Sequence, residues 1–166
     1  MNQLEIFRGI KGFIFDIDGV FTNSMIILTE TGELSRQFNV RDHYAIRKAI
    51  ANNYKICIIT AGNSVGVEKN LQNLGIEYIY TKIRDKKPAF IDFLIKSKLE
   101  ESEVLYMGDD MPDLPVLNLV ALPTCPADAI PEVKAISKYI SPLKGGEGCV
   151  RDVIEKVLKL NNQWQM

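Results

Sequence analysis

The chain has 166 residues, enough for one domain that buries roughly two-thirds of the surface exposed in its unfolded form. Its hydrophobic fraction of 46% and charged fraction of 25% are ordinary for a soluble globular protein. The net charge of −1 gives no global field that would gather nucleic acid or an anionic membrane, and no apolar stretch approaches the ~18 residues of a membrane span.

The cysteines and the N-terminal residues are the features from which we predict the cellular compartment of the protein. Cys57, Cys125 and Cys149 are widely spaced and form neither a disulfide framework nor a zinc pattern. The start "MNQLEIFRGI" lacks the basic residues and long apolar core of a secretion signal. We therefore expect the protein to work in a reducing cytoplasm.

Strand-like apolar runs alternate with segments of helical periodicity along the chain. The strand-like runs are "GFIFDID", "YKICIIT", "IEYIYT", "EVLYMGDD" and "NLVALPT", and the helical segments are "HYAIRKAIANN", "SVGVEKNLQNLG", "KPAFIDFLIKSKL" and "VRDVIEKVLKL". This alternation predicts an α/β fold, a Rossmann-like three-layer sandwich with a mostly parallel central sheet. Asp42 is predicted to be the N-cap of the first helix. With no repeat, low-complexity tract or linker, we expect a single domain over residues 1–166.

The stretch "MIILTETGELSRQFNV", residues 25–40, departs from this alternation. It holds two strand-like runs around Thr31 and Gly32, the pattern of a β-hairpin inserted directly after the first strand. A two-stranded ribbon is not stable alone in water. The apolar residues of this hairpin therefore need a packing partner.

Polar residues follow the predicted strands, where ligands bind in open α/β sheets. They are Asp16 and Asp18 after the first strand, then Thr60, Lys86, and the acidic group Asp109, Asp110 and Asp113. So many carboxylates in one crevice need a cation, and oxygen ligands without histidine or cysteine favour magnesium over zinc. Magnesium with one lysine and one hydroxyl makes a phosphate site. The simpler alternative, that Asp18 and Gly19 only form a turn, leaves Asp16 unexplained.

These residues resemble the four motifs of the haloacid dehalogenase superfamily. "DIDGV" resembles its DxDG(V/T) motif, Thr60 in "IIT" its second motif, Lys86 in "RDKKPAF" its third, and "GDDMPD" its fourth. The motifs occur in order over residues 13–113, and together they are highly specific. The resemblance implies a magnesium-dependent phosphatase.

The resemblance also implies a role for each matching residue. Asp16 would be the nucleophile that forms an aspartyl-phosphate, and Asp18 the general acid and base. Thr60 and Lys86 would bind phosphate oxygens. The magnesium ion would be held by Asp16, Asp109 and the backbone carbonyl of Asp18. Two further carboxylates, Asp110 and Asp113, would hold metal-bound waters or orient Lys86.

No cap domain fits between the motifs, because about 41 residues separate Asp18 from Thr60 and are filled by the hairpin and one helix. Among capless members, the chain most resembles the 3-deoxy-D-manno-octulosonate 8-phosphate phosphatases of lipopolysaccharide biosynthesis. The hairpin with "FNVRD" and the tail "GGEGCVRDVIEKVL" carry this likeness. It implies a sugar-acid phosphate as substrate and a homotetramer in which hairpins associate. It also points to substrate contacts from Arg41, Gly145 and Gly146. His43, the only histidine, is a further candidate for such a contact, with a surface or packing role as its alternative.

Three positions depart from the octulosonate pattern. Gly62 and Asn63 stand where "TGR" usually continues, so an arginine that contacts the substrate is absent, and Glu147 replaces an arginine in the tail. The related nine-carbon sugar-acid 9-phosphate phosphatases are an alternative, although the glutamate that they typically carry in place of Gly62 is absent as well. A second alternative, from a different class, is a non-catalytic assembly or regulatory domain, although every motif residue is present. A sugar phosphomutase is a third, but such enzymes need a cap.

Overall fold

A computed structural model describes residues 2–165, and its centre is a six-stranded sheet in which every pairing is parallel. The strands are β1 (Gly12–Phe15), β4 (Lys55–Ile59), β5 (Tyr78–Tyr80), β6 (Val104–Met107), β7 (Leu122–Cys125) and β8 (Tyr139–Ile140). Their order across the sheet is β5-β4-β1-β6-β7-β8. β1 is thus flanked by β4 and β6, and these three strands end side by side.

Helices cover both faces of the sheet. They are α1 (Gln3–Gly9), α2 (Val40–Ala51), α3 (Val65–Asn73), α4 (Lys86–Ser97), α5 (Leu114–Leu117), α6 (Pro131–Ile136) and α7 (Cys149–Leu160), with 3-10 turns at Glu101–Glu103 and Met111–Asp113. One core cluster joins one face of the sheet to α1, α2, α3 and α7, and a second joins the opposite face to α4, α5 and α6. The predicted three-layer α/β sandwich is therefore confirmed. Within residues 2–165, no helix is both long and apolar enough to cross a membrane.

The side chains of β1 point alternately into the two core clusters. Phe13 and Phe15 belong to one cluster and Ile14 to the other, and all three side chains are fully buried. Successive strand residues point to opposite faces of a sheet, so a strand that is covered on both sides is apolar throughout. Because the apolar run ends at Phe15, the carboxylate of Asp16 falls at the edge of the core.

The predicted hairpin is present but short. β2 (Ile27–Leu28) pairs antiparallel with β3 (Leu34–Ser35), and Gly32 has the positive φ of 82° that its turn requires. Ile27 and Leu28 are exposed by 57% and 74%. The hairpin therefore stands away from the sandwich with its apolar side chains in solvent.

The N-cap prediction for α2 was wrong. Asn39 is the N-cap and accepts a hydrogen bond from the backbone N–H of Arg41, whereas Asp42 lies one turn further in and is buried. Its Oδ1 accepts a hydrogen bond of 2.8 Å from the backbone N–H of Arg151, in the first turn of α7. Gly148 precedes α7 and has no side chain that could cap it, so Asp42 takes over this function from a distant part of the chain.

Candidate active site

The sheet brings three of the motifs together at one edge. Asp16 directly follows β1, Thr60 follows β4, and Asp109 lies two residues beyond β6. These strands are neighbours and parallel, so their carboxyl ends meet. The three strands therefore end at one edge of the sheet, as the sequence predicts.

Lys86 carries the third motif and is buried at this edge of the sheet, next to Asp16. It is the first residue of α4, and its side chain is only 1% exposed. Its Nζ lies 3.0 Å from Oδ2 of Asp16 and 2.7 Å from Oδ1 of Asp113. A buried ammonium is tolerated only when it is paired, and here two carboxylates pair with it.

Asp113 is fully buried and makes four hydrogen bonds. Besides Lys86, it accepts from the hydroxyl of Tyr106 at 2.6 Å and from the backbone N–H groups of Asp109 and Asp110 at 3.0 and 3.3 Å. A Cβ on Gly108 would lie 2.3 Å from the Asp113 carboxyl carbon, so a glycine is needed there. Asp113 thus contacts Lys86 directly, and the role of orienting this lysine remains a prediction.

Asp109 has the properties of a metal ligand. Its buried Oδ1 has no hydrogen-bond partner among the described residues. Its carboxylate lies so close to the Gly19 backbone that a Cβ there would be 1.9 Å from Oδ2. Carboxylate oxygens of Asp16, Asp109 and Asp113 lie within 4.8 Å of one another. Such a set of hard oxygen donors fits Mg²⁺.

The shifted pKa values of Asp109, Asp16 and Lys86 also support a bound cation at this position. Burial, and then the charges of Asp16 and Asp113, raise the pKa of Asp109 to about 8. Burial raises the pKa of Asp16 to about 6, against the opposing charge of Lys86. Burial alone would lower the pKa of Lys86, but the charges of Asp16 and Asp113 outweigh it and the pKa is raised. A divalent cation would relieve the repulsion between the carboxylates.

Asp18 faces away from this buried group. Its carboxylate is 35% exposed and binds the guanidinium of Arg36, with Nε to Oδ1 at 2.6 Å and Nη2 to Oδ2 at 3.1 Å. The sequence analysis missed Arg36. Arg36 directly follows β3, two residues before Phe38, and its sequence neighbours do not mark it as a partner of Asp18.

Thr60 lies near Asp18, whereas His43 and Arg41 line two other grooves. Thr60 is buried, and its Oγ1 accepts a hydrogen bond of 3.2 Å from the Gly62 backbone N–H. His43 is half-buried, and its Nε2 lies 3.4 Å from the side-chain nitrogen of Asn70, in a groove that Arg36 also lines. Arg41 is exposed and lines a different groove with residues of the tail and α7. Substrate contacts from His43 and Arg41 remain predictions.

The tail glycines pack against their own chain. A Cβ on Gly145 would lie 2.0 Å from the carbonyl oxygen of Gly19, and one on Gly146 would lie 2.9 Å from the backbone nitrogen of Asn23. The backbone N–H of Gly146 also donates a 3.0 Å hydrogen bond to the carbonyl of Val20. These contacts place the tail behind the loop that carries Asp18. Contact of these glycines with substrate remains a prediction.

Two further residues of the fourth motif and its strand complete the site. Asp110 is exposed, and its Oδ1 accepts from the Met111 backbone N–H at 2.7 Å, so it caps the 3-10 turn rather than touching Lys86. Tyr106 was missed because it reads as one more apolar residue of a buried strand. A tyrosine hydroxyl inside a strand needs a hydrogen-bond partner, which was the available signal.

Known proteins resemble this chain closely. The 3-deoxy-D-manno-octulosonate 8-phosphate phosphatase of Escherichia coli K12 is 37% identical over 151 residues, which cover 91% of this chain and 80% of the relative. That of Salmonella typhi is 38% identical over the same shares. No family model matches the chain.

Solved structures give the same result. The crystal structure of 3-deoxy-D-manno-octulosonate 8-phosphate phosphatase from Yersinia pestis superposes with a TM-score of 0.95, at 33% identity, over 97% of this chain and 87% of that one. The enzyme of the same name from Moraxella catarrhalis was solved with magnesium, phosphate and a KDO molecule. It has a TM-score of 0.93, at 30% identity, over 98% of this chain and 95% of that one.

Proposed function

This chain belongs to the family of 3-deoxy-D-manno-octulosonate 8-phosphate phosphatases, phosphoric monoester hydrolases of the haloacid dehalogenase superfamily, and we propose that it hydrolyses a sugar-acid phosphate. The observation that carries the proposal is the buried group at the end of β1. There Asp16 binds Lys86, and a second carboxylate, Asp18, lies two residues away on the open side. One carboxylate would thereby be fixed for attack, and the other, which Arg36 binds, would handle protons.

In the proposed reaction, an oxygen of Asp16 attacks phosphorus and the ester bond to the sugar oxygen breaks. A proton on Asp18 passes to the leaving oxygen. Water then attacks phosphorus, gives its proton to Asp18, and the bond between Asp16 and phosphorus breaks. Lys86 and the hydroxyl of Thr60 would bind phosphate oxygens and offset the negative charge of the transition state.

Asp16, Asp109 and the backbone carbonyl of Asp18 would hold Mg²⁺. When bound, this ion would supply positive charge that neutralises the phosphate and the attacking carboxylate. The orphaned Oδ1 of Asp109 and its raised pKa support this assignment. Asp113 makes no comparable case, since its oxygens already accept four hydrogen bonds.

3-Deoxy-D-manno-octulosonate 8-phosphate is the proposed substrate, because the relatives and the two solved structures described above are named as phosphatases of this compound. A nine-carbon sugar-acid 9-phosphate is the second candidate. Gly62 and Glu147 leave the choice between the two sugar acids open, because they remove positive charge that could meet the carboxylate of either one. A non-catalytic assembly domain is disfavoured by the intact buried contacts of Lys86.

We also propose that the protein is a homo-oligomer, a tetramer, in which copies of the hairpin pack together. Without a cap domain, a neighbouring subunit would have to shield the crevice from water. The exposed apolar side chains of Met25, Ile27 and Leu28 support such an interface, since apolar patches of this kind are typical of association surfaces.

A phosphate-release assay over a panel of esters tests the proposal. The panel contains the octulosonate 8-phosphate, a nine-carbon sugar-acid 9-phosphate, a neutral hexose 6-phosphate and 4-nitrophenyl phosphate, each with Mg²⁺ and with excess chelator. We expect Mg²⁺-dependent hydrolysis with the highest kcat/KM for a sugar acid. No phosphate release from any ester would leave the non-catalytic alternative, and a neutral sugar as best substrate would overturn the substrate class.

A further inference from the structure

The two proposed catalytic carboxylates bind different cations. Lys86 binds Asp16 from within the core, while Arg36 binds Asp18 from the hairpin side. The contact with Arg36 is bidentate, because Nε binds Oδ1 and Nη2 binds Oδ2. Paired hydrogen bonds of this kind fix the orientation of a carboxylate plane as well as its position.

Arg36 is far more buried than its partner. Its side chain is 6% exposed, against 35% for Asp18. The third guanidinium nitrogen, Nη1, is buried and has no hydrogen-bond partner among residues 2–165. Burying a charged group is unfavourable unless it is paired, and Asp18 is the carboxylate that pairs with Arg36. This ion pair therefore differs from exposed surface pairs, which contribute little.

The surroundings leave Arg36 little freedom. Arg36, Asp18 and Thr60 line a cavity of about 10 Å³, which has room for about one water molecule. Nη2 would lie only 3.8 Å from a Cβ at position 62, so the guanidinium lies over the bare backbone of Gly62. Arg36 is thus held between the hairpin and the end of β4, with its donors directed at Asp18.

We propose that Arg36 is a positioning residue for proton transfer, which holds the carboxyl of Asp18 in the orientation that reaches the leaving oxygen. This inference rests on the proposed phosphatase reaction. The longer contact, Nη2 to Oδ2 at 3.1 Å, is the one given up when the leaving oxygen approaches Oδ2. The 2.6 Å contact from Nε to Oδ1 persists and fixes the side-chain rotamer.

Arg36 itself gains and loses no proton in this scheme. The proton moves from Asp18 to the leaving oxygen as the ester bond breaks, and it is replaced by a proton from the attacking water. Only the first of these transfers depends on the alcohol that leaves. The parameter kcat/KM reports the steps up to the first irreversible one. Comparing kcat/KM for two substrates with different leaving groups therefore isolates the proton transfer from Asp18 to the leaving oxygen.

The test compares kcat/KM for the octulosonate 8-phosphate, whose alkoxide needs a proton, with 4-nitrophenyl phosphate, whose phenolate does not. For Arg36→Ala we expect about a 100-fold loss on the sugar ester, the lower range of general acid catalysis, and less than about a tenfold loss on the aryl ester. Arg36→Lys keeps the charge and one hydrogen bond, so its selective loss should be smaller. Added guanidinium should restore Arg36→Ala on the sugar ester only. Arg8→Ala, at an exposed position of α1, is the matched control.

Equal losses on both esters by the Ala and Lys variants would overturn the inference, because they would assign Arg36 to folding or phosphate binding. So would unchanged kinetics in a folded Arg36→Lys or Arg36→Ala protein. If the Ala variant fails to fold, the Lys variant decides between the same results. Wild-type protein that hydrolyses neither ester would instead contradict the proposed function.

Discussion

Lys86 and Asp113 form an ion pair that is closed to solvent, with 2.7 Å between Nζ and Oδ1 and side-chain exposures of 1% and 0%. Asp16 joins the pair from the crevice side. The lysine that we propose to bind phosphate is thereby held by one carboxylate of the core, Asp113, and by the proposed nucleophile, Asp16. Of the three acidic residues that follow β6, Asp109 and Asp113 are therefore proposed to have different functions.

Substitution should separate these functions. Asp113→Asn should lower the free energy of unfolding by about 3 kcal/mol, because it weakens a buried ion pair. Asp109→Asn should leave the fold intact but weaken Mg²⁺ binding, since it removes a carboxylate that has no other partner for Oδ1. Urea denaturation and calorimetric Mg²⁺ titration measure the two effects. Asp113→Asn with unchanged stability would show that the buried pair is not needed.

The raised pKa of Asp109 predicts how pH acts on the metal-free protein. The pKa is 3.8 for an ordinary aspartate and about 8 for Asp109 in the folded chain. Between these two pH values, Asp109 keeps its proton in the folded state and loses it in the unfolded state. The stability this proton provides is fully present below about pH 4 and is lost as the pH rises through about 8.

Magnesium should reverse this loss, because it binds the ionised carboxylate. We expect the increase in Tm on adding Mg²⁺ to be larger at pH 8.5 than at pH 5, with CaCl₂ at equal ionic strength as a comparison. The measurement is thermal unfolding with chelator and with Mg²⁺. An equal increase at both pH values would argue against Asp109 as the ligand.

Gly145 and Gly146 should be structural positions. Because a Cβ on Gly145 would clash with the backbone oxygen of Gly19, Gly145→Ala should displace the loop that carries Asp18 and lower both Tm and activity. The losses in kcat/KM should be similar for a sugar-acid phosphate and for 4-nitrophenyl phosphate. Gly9→Ala is the control, since a Cβ there meets nothing within 4 Å. A loss confined to the sugar ester would instead assign the tail to substrate recognition.

The motifs were predictable because each is local, whereas the contacts that support them are not. Asp16, Thr60 and Asp109 follow apolar strands, and the rule that parallel strands end at one edge places them together. Arg36 escaped prediction since a hairpin's orientation cannot be read from its own residues. Asp42 was assigned to the wrong helix for the same reason: its partner, the N–H of Arg151, lies 109 residues away.

Short elements were lost for a different reason. β8 and α6 (Pro131–Ile136) have too few residues to show a period, and β8 exists because the edge of β7 is available for pairing. α1 was read only for the absence of a secretion signal, yet Asn2 and Glu5 form a capping box at its start.

The exposed apolar side chains of the hairpin lead us to expect a tetramer. Leu28 is 74% exposed, so Leu28→Glu should not disturb an isolated subunit, but it should dissociate a tetramer that buries this side chain. Sedimentation velocity measures the change, and Leu4→Glu on α1, at a position exposed by 54%, is the matched control. A wild-type monomer with full activity on a sugar-acid phosphate would contradict hairpin association.

The central claim is that Asp16 carries the phosphoryl group, and chemical trapping tests it most directly. Borohydride reduces an acyl phosphate to an alcohol, so protein quenched during turnover of a sugar-acid phosphate should contain homoserine in place of Asp16 when its peptides are analysed by mass spectrometry. Asp18 should be unchanged, and Asp16→Asn protein should be folded, inactive and unlabelled. Homoserine at position 18, or steady turnover with no modification at position 16, would contradict the account.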